Sequence, residues 1–253
     1  MILLVSPSRL MDMSKSIELL SSTTPVFDKE ASELATKMKG LELEEISRYM
    51  GEDDHLARET FDLYQNFENA PVKQALFAYA GKFYKAIDAN EFSFNDLEYA
   101  KKHLRIISTL YGYLLPTDDI KAYRMNFHLD YQSETLFDFW KSKITPLIIS
   151  DVTGSGGYLL DFSAQEIIKA VDRSAFPEKL NYVHIDFKDK SKDHDEYISI
   201  RAYAQPAKGH LVRYIIKNKI DHPDELRSFT VDGYKFNETL STQTNMVFTR
   251  EKH

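Results

Sequence analysis

The first five residues, Met-Ile-Leu-Leu-Val, form an uninterrupted apolar run that stops at Ser6-Pro7. This run is too short for a membrane helix and lacks the basic segment of a signal peptide, but it is typical of a buried strand. A buried strand needs neighbours, and the next strand-like runs come only after residue 157. We therefore predict one interlocked domain over residues 1–253, in which the first strand completes a sheet formed far along the chain.

The spacing of apolar residues changes near Trp140. Helical spacing in the first part predicts helices over residues 28–39, 44–49, 54–67, 71–80 and 93–110. The later part predicts strands over 158–162, 182–187, 197–203, 229–236 and 246–250, helices near 164–172 and 206–219, and a hairpin turn at 189–195. These patterns indicate an α+β fold with a helix-rich N-terminal half and a mixed sheet.

The segment from about residue 93 to 124 has the pattern of a helix-hairpin-helix element. Its helical spacing stops at Tyr111-Gly112, where glycine can take the left-handed conformation, and Pro116 can begin a second helix. In such an element the backbone around Gly112 can approach a DNA phosphate. Arg105 and Arg124 would add positive charge.

A structural interpretation of the same segment stays open. In that case Tyr111-Gly112 is a capped turn between two core helices, and Arg105 and Arg124 form structural ion pairs. The sequence around this turn is compatible with both interpretations.

The net charge of −7 argues against a nucleic-acid binder only at first sight. Residues 1–70 contain 14 acidic and 7 basic side chains, which leaves 25 of each in the remainder. Binding to DNA requires only a local basic face, because it depends on the phosphates that are contacted. The acidic first 70 residues are in turn a candidate surface for a protein partner.

Two further places can hold a phosphate or another anion. Ser6 follows the predicted first strand and precedes Arg9, and ligands of α/β proteins often bind at such strand ends. The alternative is a Ser-Pro turn with Arg9 in a structural pair. In the helix near residues 206–219, Arg213 follows Lys208, and Gly209 suggests a close approach by a ligand or another backbone. We expect a set of basic and aromatic side chains to converge on one concave anion site: Arg9, Arg105, Tyr123, Arg124, Lys208 and Arg213.

The absence of cysteine excludes disulfides, thiolate metal sites and peroxide chemistry at a thiol. The eight histidines show no spacing typical of a metal site. We therefore predict no metal centre and no cofactor.

Blocks of residues spread over nearly the whole chain resemble the YaaA-type peroxide-stress family. That family has the signature H-L-R-x-L-S-G-L-Y-G-x-L-x-P-L-D-x-I-x-P-Y-R, and His103–Arg124 matches it at most positions. Further matches lie at Ser6-Pro7, Gly81-x-x-Tyr84, Leu136-x-x-Phe139-Trp140, Ala207-Lys208-Gly209 and Gly233-Tyr234. The chain departs from the family at Arg9 for lysine, Lys82 for aspartate, Gln205-Pro206 for Lys-Lys, and in the segment 161–167.

The resemblance implies a cytoplasmic bacterial protein of the peroxide-stress response, and whether it catalyses a reaction stays open. It implies sequence-independent contacts to the phosphates of duplex or branched DNA, no membrane association, and a role in limiting damage linked to free intracellular iron. Two alternatives remain from the residues themselves. One is an enzyme acting on a nucleotide or nucleobase held by Ser6 and Arg9, and the other is a non-catalytic protein-interaction module.

Overall fold

One mixed sheet forms the centre of the protein. The computed structural model describes residues 1–14, 20–51, 54–191 and 196–251. The strands, in the order of the chain, are β1 (Ile2–Val5), β2 (Val72–Gln74), β3 (Leu104–Ser108), β4 (Gly112–Leu114), β5 (Asp119–Lys121), β6 (Asp130–Tyr131), β7 (Glu134–Thr135), β8 (Tyr158–Asp161), β9 (Asn181–Lys190), β10 (Tyr197–Ile198), β11 (Thr230–Val231), β12 (Tyr234–Phe236) and β13 (Asn245–Arg250).

The order of strands in the main sheet is β11-β12-β13-β9-β8-β1-β3-β4, and β10 pairs with β9. β1 is parallel to both of its neighbours, β3 and β8, and β9 is parallel to β8 and β13. The predicted pairing of the first strand with a strand far along the chain is confirmed by β8, whereas the other neighbour, β3, lies in a segment that was predicted as helix. All four residues of β1 are buried, because the strand has a neighbour on each side and packing on both faces.

Parallel pairing brings the last residues of β1, β3 and β8 to one side of the sheet, which we call the carboxyl edge. In the sheet, β3 lies on one side of β1, and β8, which comes later in the chain, lies on the other side of β1. The strand order thus reverses between β1 and β8, and loops that leave such strands in opposite directions open a crevice suited to ligands.

Helices and short 3₁₀ turns surround the sheet. The α-helices are α1 (Asp28–Lys39), α2 (Leu43–Met50), α3 (Asp54–Gln65), α4 (Ala75–Ala78), α5 (Lys82–Ile87), α6 (Phe94–His103), α7 (Leu136–Gly154) and α8 (Arg201–Asn218). The 3₁₀ turns are Phe67–Asn69, Ala89–Glu91, Ile167–Ala170, Arg173–Ala175 and Pro223–Ser228. The helix-rich first half and the α+β class are confirmed.

Helices α5 and α8 pack closely at Gly209. A Cβ atom at this position would lie 2.3 Å from the carbonyl oxygen of Phe83, so only glycine allows the two backbones to approach this far. The close approach expected from the sequence is therefore made by another backbone.

The predicted helix-hairpin-helix element is wrong. α6 begins at Phe94 after Ser93, whose side chain caps the helix, but it ends at His103, and Leu104–Ser108 continues as strand β3. Gly112 has a φ of 68° in a tight turn to β4, and residues after Pro116 form β5 and not a second helix. The segment Leu-Arg-Ile-Ile-Ser fits both helical and extended periodicity, and pairing with β1 decides for the strand.

Smaller differences have similar causes. Residues 71–80 contain β2 and the single turn α4, and the expected strand over 197–203 is replaced at Arg201 by the start of α8. α7 was not predicted, because its apolar residues are spread around the helix and it includes Pro146. β9 and β10 pair as predicted for a hairpin, but residues 192–195 of its turn lie outside the described residues.

Within the described part of the chain, no helix is both long and apolar enough to cross a membrane.

Candidate functional site

Ser6 connects two loops at the carboxyl edge. Its hydroxyl oxygen accepts a hydrogen bond of 2.9 Å from the backbone N–H of Ala164, which follows β8. Its carbonyl oxygen accepts one of 2.8 Å from the buried Tyr84 hydroxyl of α5. The predicted anchor residue therefore lies at the reversal point between β1 and β8, where it holds the two loops together.

Asp161, at the end of β8, is the centre of a buried hydrogen-bond network. The hydroxyl of Tyr182 donates to its Oδ2 over 2.6 Å, and Nδ1 of His184 donates to the same oxygen over 3.2 Å. The backbone N–H and the hydroxyl of Ser163 both donate to Oδ1. Burial favours the neutral acid, but the four donors together hold the pKa of Asp161 below its usual value. The carboxylate is therefore charged and fully satisfied.

Lys208 of α8 reaches the same edge but has no comparable partner. Only 7% of the residue is exposed. Its Nζ lies 3.4 Å from the carbonyl oxygen of Phe162, and it forms no ion pair within the described structure. Burial lowers the pKa of Lys208, and the negative charges of Asp161 and Asp186 only partly oppose this effect. A buried ammonium group without a close counter-ion is unusual, because desolvation makes it costly.

An exposed loop and a helix beside Ser6 add further positive charge. Arg9 is exposed and has no ion-pair partner among the described residues. α5 begins next to this loop, since a Cβ atom at Gly81 would lie 2.6 Å from the Ser8 hydroxyl. Lys82 and Lys85 on α5 are also exposed. Basic side chains therefore lie on the outside of this edge.

Tyr123 belongs to a buried cluster of hydroxyl groups below the loops. Its hydroxyl lies 2.9 Å from that of Tyr79 and 2.8 Å from that of Ser108 at the end of β3. Burial raises the pKa of Tyr123 and of Tyr79, so both phenols are neutral at ordinary pH. Tyr123 supports the carboxyl edge from within.

Arg105 does not join this site. Its Nε donates to Oδ2 of Asp151 over 2.6 Å, and its Nη1 donates to the carbonyl oxygens of Lys101 and Leu104. The Tyr113 hydroxyl donates to the same Asp151 oxygen over 2.7 Å. The pair lines a cavity of about 590 Å³ that also includes Ile2, at the opposite end of β1. The expectation that all the basic motif residues converge on one site is therefore wrong for Arg105.

Tyr111 and Gly112 are buried as well. The backbone N–H of Tyr111 donates to the Ser108 hydroxyl, and a Cβ atom at Gly112 would lie 2.5 Å from the Trp140 ring. This glycine is required because its backbone adopts a positive φ against an aromatic ring. A DNA phosphate has no room at this position.

The two remaining arginines have internal partners. Arg124 forms an ion pair with Glu59, in which the two atoms are 3.1 Å apart. Arg213 donates to the carbonyl oxygens of Ile87 and Asp88 and forms an ion pair with the Asp88 carboxylate. About a quarter of each arginine side chain is exposed. Their predicted phosphate contacts remain predictions, and each would have to compete with an existing partner.

Asp161 and His184 were missed from the sequence. They are 23 residues apart, and they become direct neighbours only through the parallel register of β8 and β9. The one available signal was that polar residues occur at the end of one apolar strand and inside the next. No group of three or more metal-ligating side chains occurs in the part of the chain that the structure describes.

Comparison with known proteins agrees with the resemblance in the motifs. Residues 1–240 match the family described as peroxide stress protein YaaA. The chain belongs to this family. A UPF0246 protein of Bacteroides thetaiotaomicron is 32% identical over 253 residues, which cover 98% of each chain. UPF0246 proteins of Clostridium perfringens and Clostridium botulinum are 31% and 33% identical, and the matches cover 99% of this chain and all of each relative.

Family membership supports a role in peroxide stress. The residues of the family motifs fall into two groups by their contacts in the structure. Arg105, Gly112 and Tyr123 maintain the fold, whereas Ser6 and Lys208 each contact the segment that follows β8 at the carboxyl edge.

Proposed function

We propose that the protein acts in the peroxide-stress response by binding a phosphate-bearing ligand, such as a nucleotide, at the carboxyl edge. Lys208 carries this proposal, because its buried ammonium group has no ion-pair partner among the residues that the structure describes. Arg9 is the exposed cation of the loop that follows β1, where it can attract the same ligand. The proposal takes up the binding step of an alternative that the sequence left open, an enzyme acting on a nucleotide or nucleobase held by Ser6 and Arg9.

The alternative explanation for Lys208 is a structural partner in Asp161. That explanation is weak, because four hydrogen bonds already occupy both oxygens of the Asp161 carboxylate. An anionic ligand would provide the missing charge, and a phosphate group has several acceptor oxygens for one ammonium group.

The test is thermal unfolding with inorganic phosphate and with a panel of nucleoside mono-, di- and triphosphates. A ligand that binds only the folded state stabilises it by about 2.7 kcal/mol at a concentration of 100 times its Kd. We expect at least one phosphate compound to raise the Tm of the wild type, and the increase to be lost in Lys208→Met.

Lys85→Met is the matched control, because Lys85 is an exposed lysine on the neighbouring helix α5. It should retain the ligand-induced increase in Tm. No increase with any phosphate compound, or an equal increase in Lys208→Met, would contradict the proposal.

DNA binding is a second candidate function, and the exposed side chains Arg9, Lys82 and Lys85 favour it. They lie on the loop after β1 and on the adjoining helix α5. Lys82 stands where the resembling family has aspartate, which makes this surface more basic. If the protein binds DNA, the phosphate contacts would come from this surface and not from the Tyr111-Gly112 turn.

A salt series with a duplex and a branched junction tests this candidate. Each phosphate contact that is removed should reduce the slope of log K against log salt by about 0.9 for duplex DNA. Replacing Arg9, Lys82 and Lys85 together by methionine should therefore flatten the slope, whereas Lys37→Met on α1 should not. An unchanged slope would remove this surface from consideration.

The cellular role and the expected link to free iron form the last part of the proposal. We place the protein in the cytoplasm of a bacterium and propose an indirect effect on iron, through the ligand. In a strain that lacks its own family member, the wild-type gene should restore growth in peroxide and lower free iron, and Lys208→Met should not. Full rescue by Lys208→Met would separate the stress role from the carboxyl-edge site.

A further inference from the structure

We infer that the carboxyl-edge site is hydrolytic, with His184 as the general base that activates water against a phosphate ester or anhydride of the ligand. This inference rests on the proposed function, since it needs the ligand to bind at the carboxyl edge. It adds a chemical step and residues that the sequence motifs do not include.

Asp161 and His184 have the arrangement of an acid–base dyad. Nδ1 of His184 is directed at Oδ2 of Asp161, which is 1% exposed, whereas the His184 side chain is 21% exposed. Nε2 of His184 has no hydrogen-bond partner among the described residues. A buried carboxylate that orients one imidazole nitrogen and leaves the other without a partner is the arrangement that makes histidine an effective base.

The network around Asp161 preserves this arrangement. Tyr182 and Ser163 occupy the other acceptor positions of the carboxylate, so its orientation is determined from three directions. Nζ of Lys208 contacts the carbonyl oxygen of Phe162, the residue that follows Asp161 in the sequence, so a positive charge lies beside the end of β8. A cation in this position can stabilise the charge that develops on phosphoryl oxygens during displacement.

The reaction follows from these positions. Nε2 of His184 takes a proton from a water molecule, and the water oxygen forms a bond to phosphorus. The bond from phosphorus to the leaving oxygen breaks, and that oxygen keeps the electron pair. The proton on His184, now an imidazolium ion stabilised by Asp161, passes to the leaving oxygen. The products are the phosphate that received the water oxygen and the protonated leaving group. That leaving group is an alcohol for a phosphate ester and a shorter phosphate chain for an anhydride.

A purely structural role for the network is the competing explanation. His184→Asn separates the two explanations, because the asparagine amide can replace the hydrogen bond from Nδ1 to Asp161 but provides nothing in place of Nε2. Tyr182→Phe is a second test of the network, since it removes another hydrogen bond to the same oxygen and leaves the base in place, so it should lower kcat less than His184→Asn does.

The experiment measures phosphate release by the full chain from p-nitrophenyl phosphate and from the nucleotide panel. General-base catalysis contributes about 10²- to 10⁴-fold, so His184→Asn should lower kcat by at least about 100-fold. Ligand-induced thermal stabilisation should persist in this variant. Asp161 acts as a positioning residue, and Asp161→Asn should reduce kcat while KM stays close to the wild-type value.

The outcomes distinguish this inference from the proposed function. If phosphate compounds stabilise the wild type but none is hydrolysed, the hydrolytic inference is overturned and ligand binding stands. Equal turnover by His184→Asn and the wild type would also overturn it. If no phosphate compound binds, both proposals fail.

Discussion

Arg105 and Lys208 are equally buried, at 7% exposure each, yet their surroundings differ. Arg105 has an ion pair with Asp151 and donates to two carbonyl oxygens, whereas Lys208 has, among the described residues, one long contact to a carbonyl oxygen. Both residues lie in motifs of the family, so the sequence does not separate them. Under the proposed function, pairing, and not burial or family motif, distinguishes a cation that maintains the fold from one that binds a ligand.

We expect the largest loss of stability from replacing Arg105, the cation that has an ion-pair partner. Arg105→Met should lower the free energy of unfolding by about 3 kcal/mol, the lower end for removing one member of a buried ion pair. The lower end applies because Asp151 is about one-third exposed, so water can partly replace the lost partner. Urea denaturation measures the difference.

Lys102→Met is the control for this substitution, since Lys102 is exposed on the last turn of α6. It should change stability by less than about 0.5 kcal/mol. If Arg105→Met is equally mild, the distinction between paired and unpaired cations breaks down.

Asp161 extends the comparison to a buried carboxylate at the carboxyl edge. Asp161→Asn should cost about 2 kcal/mol at neutral pH, because an amide cannot accept all four hydrogen bonds. Urea unfolding at pH 7 gives the value. A cost near zero would mean that the network around Asp161 is not formed in solution.

The same carboxylate should make stability depend on acid. The folded pKa of Asp161 lies below the unfolded value of about 3.9, so its contribution is complete above that pH. It is lost as the pH falls through the lower, folded pKa. Between pH 5 and pH 2 the stability of Asp161→Asn should therefore decline less than that of the wild type. Parallel declines would show that Asp161 has no lowered pKa.

Tyr113 gives the smallest effect of the set. Tyr113→Phe removes one hydrogen bond to Asp151 and leaves the ion pair with Arg105, so we expect a loss of about 1 kcal/mol. Chemical denaturation of the single variants and of the double variant with Arg105→Met tests this. A loss that adds fully to that of Arg105→Met would show that the two side chains do not share Asp151.

The sequence predicted an element correctly where the apolar residues fitted only one periodicity, either helical or extended. β1 and α1 were predicted correctly, because a short apolar run and a long amphipathic pattern each have one simple solution. The segment 104–110 was not, because its apolar residues fit a helix and a strand equally well. Its conformation depends on pairing with β1, about 100 residues earlier.

The candidate site was only partly accessible to sequence reasoning. Ser6 and Lys208 were predicted as anion contacts, and the structure places both at the carboxyl edge. Arg105 was predicted with them, but its partner Asp151 is 46 residues away in α7, a helix that the sequence did not reveal. The contact between Asp161 and His184 depends in the same way on strand register.

The most direct test of the account is the stability of Lys208→Met, measured by urea denaturation with and without the best phosphate ligand. Replacing a buried charge that has no ion-pair partner in the described part of the chain by an apolar side chain of similar length should raise the free energy of unfolding without ligand, by about 1 kcal/mol. The same substitution should abolish stabilisation by the ligand. A variant that is less stable than the wild type without ligand, or that still responds to the ligand, would contradict the claim that Lys208 is reserved for an anion.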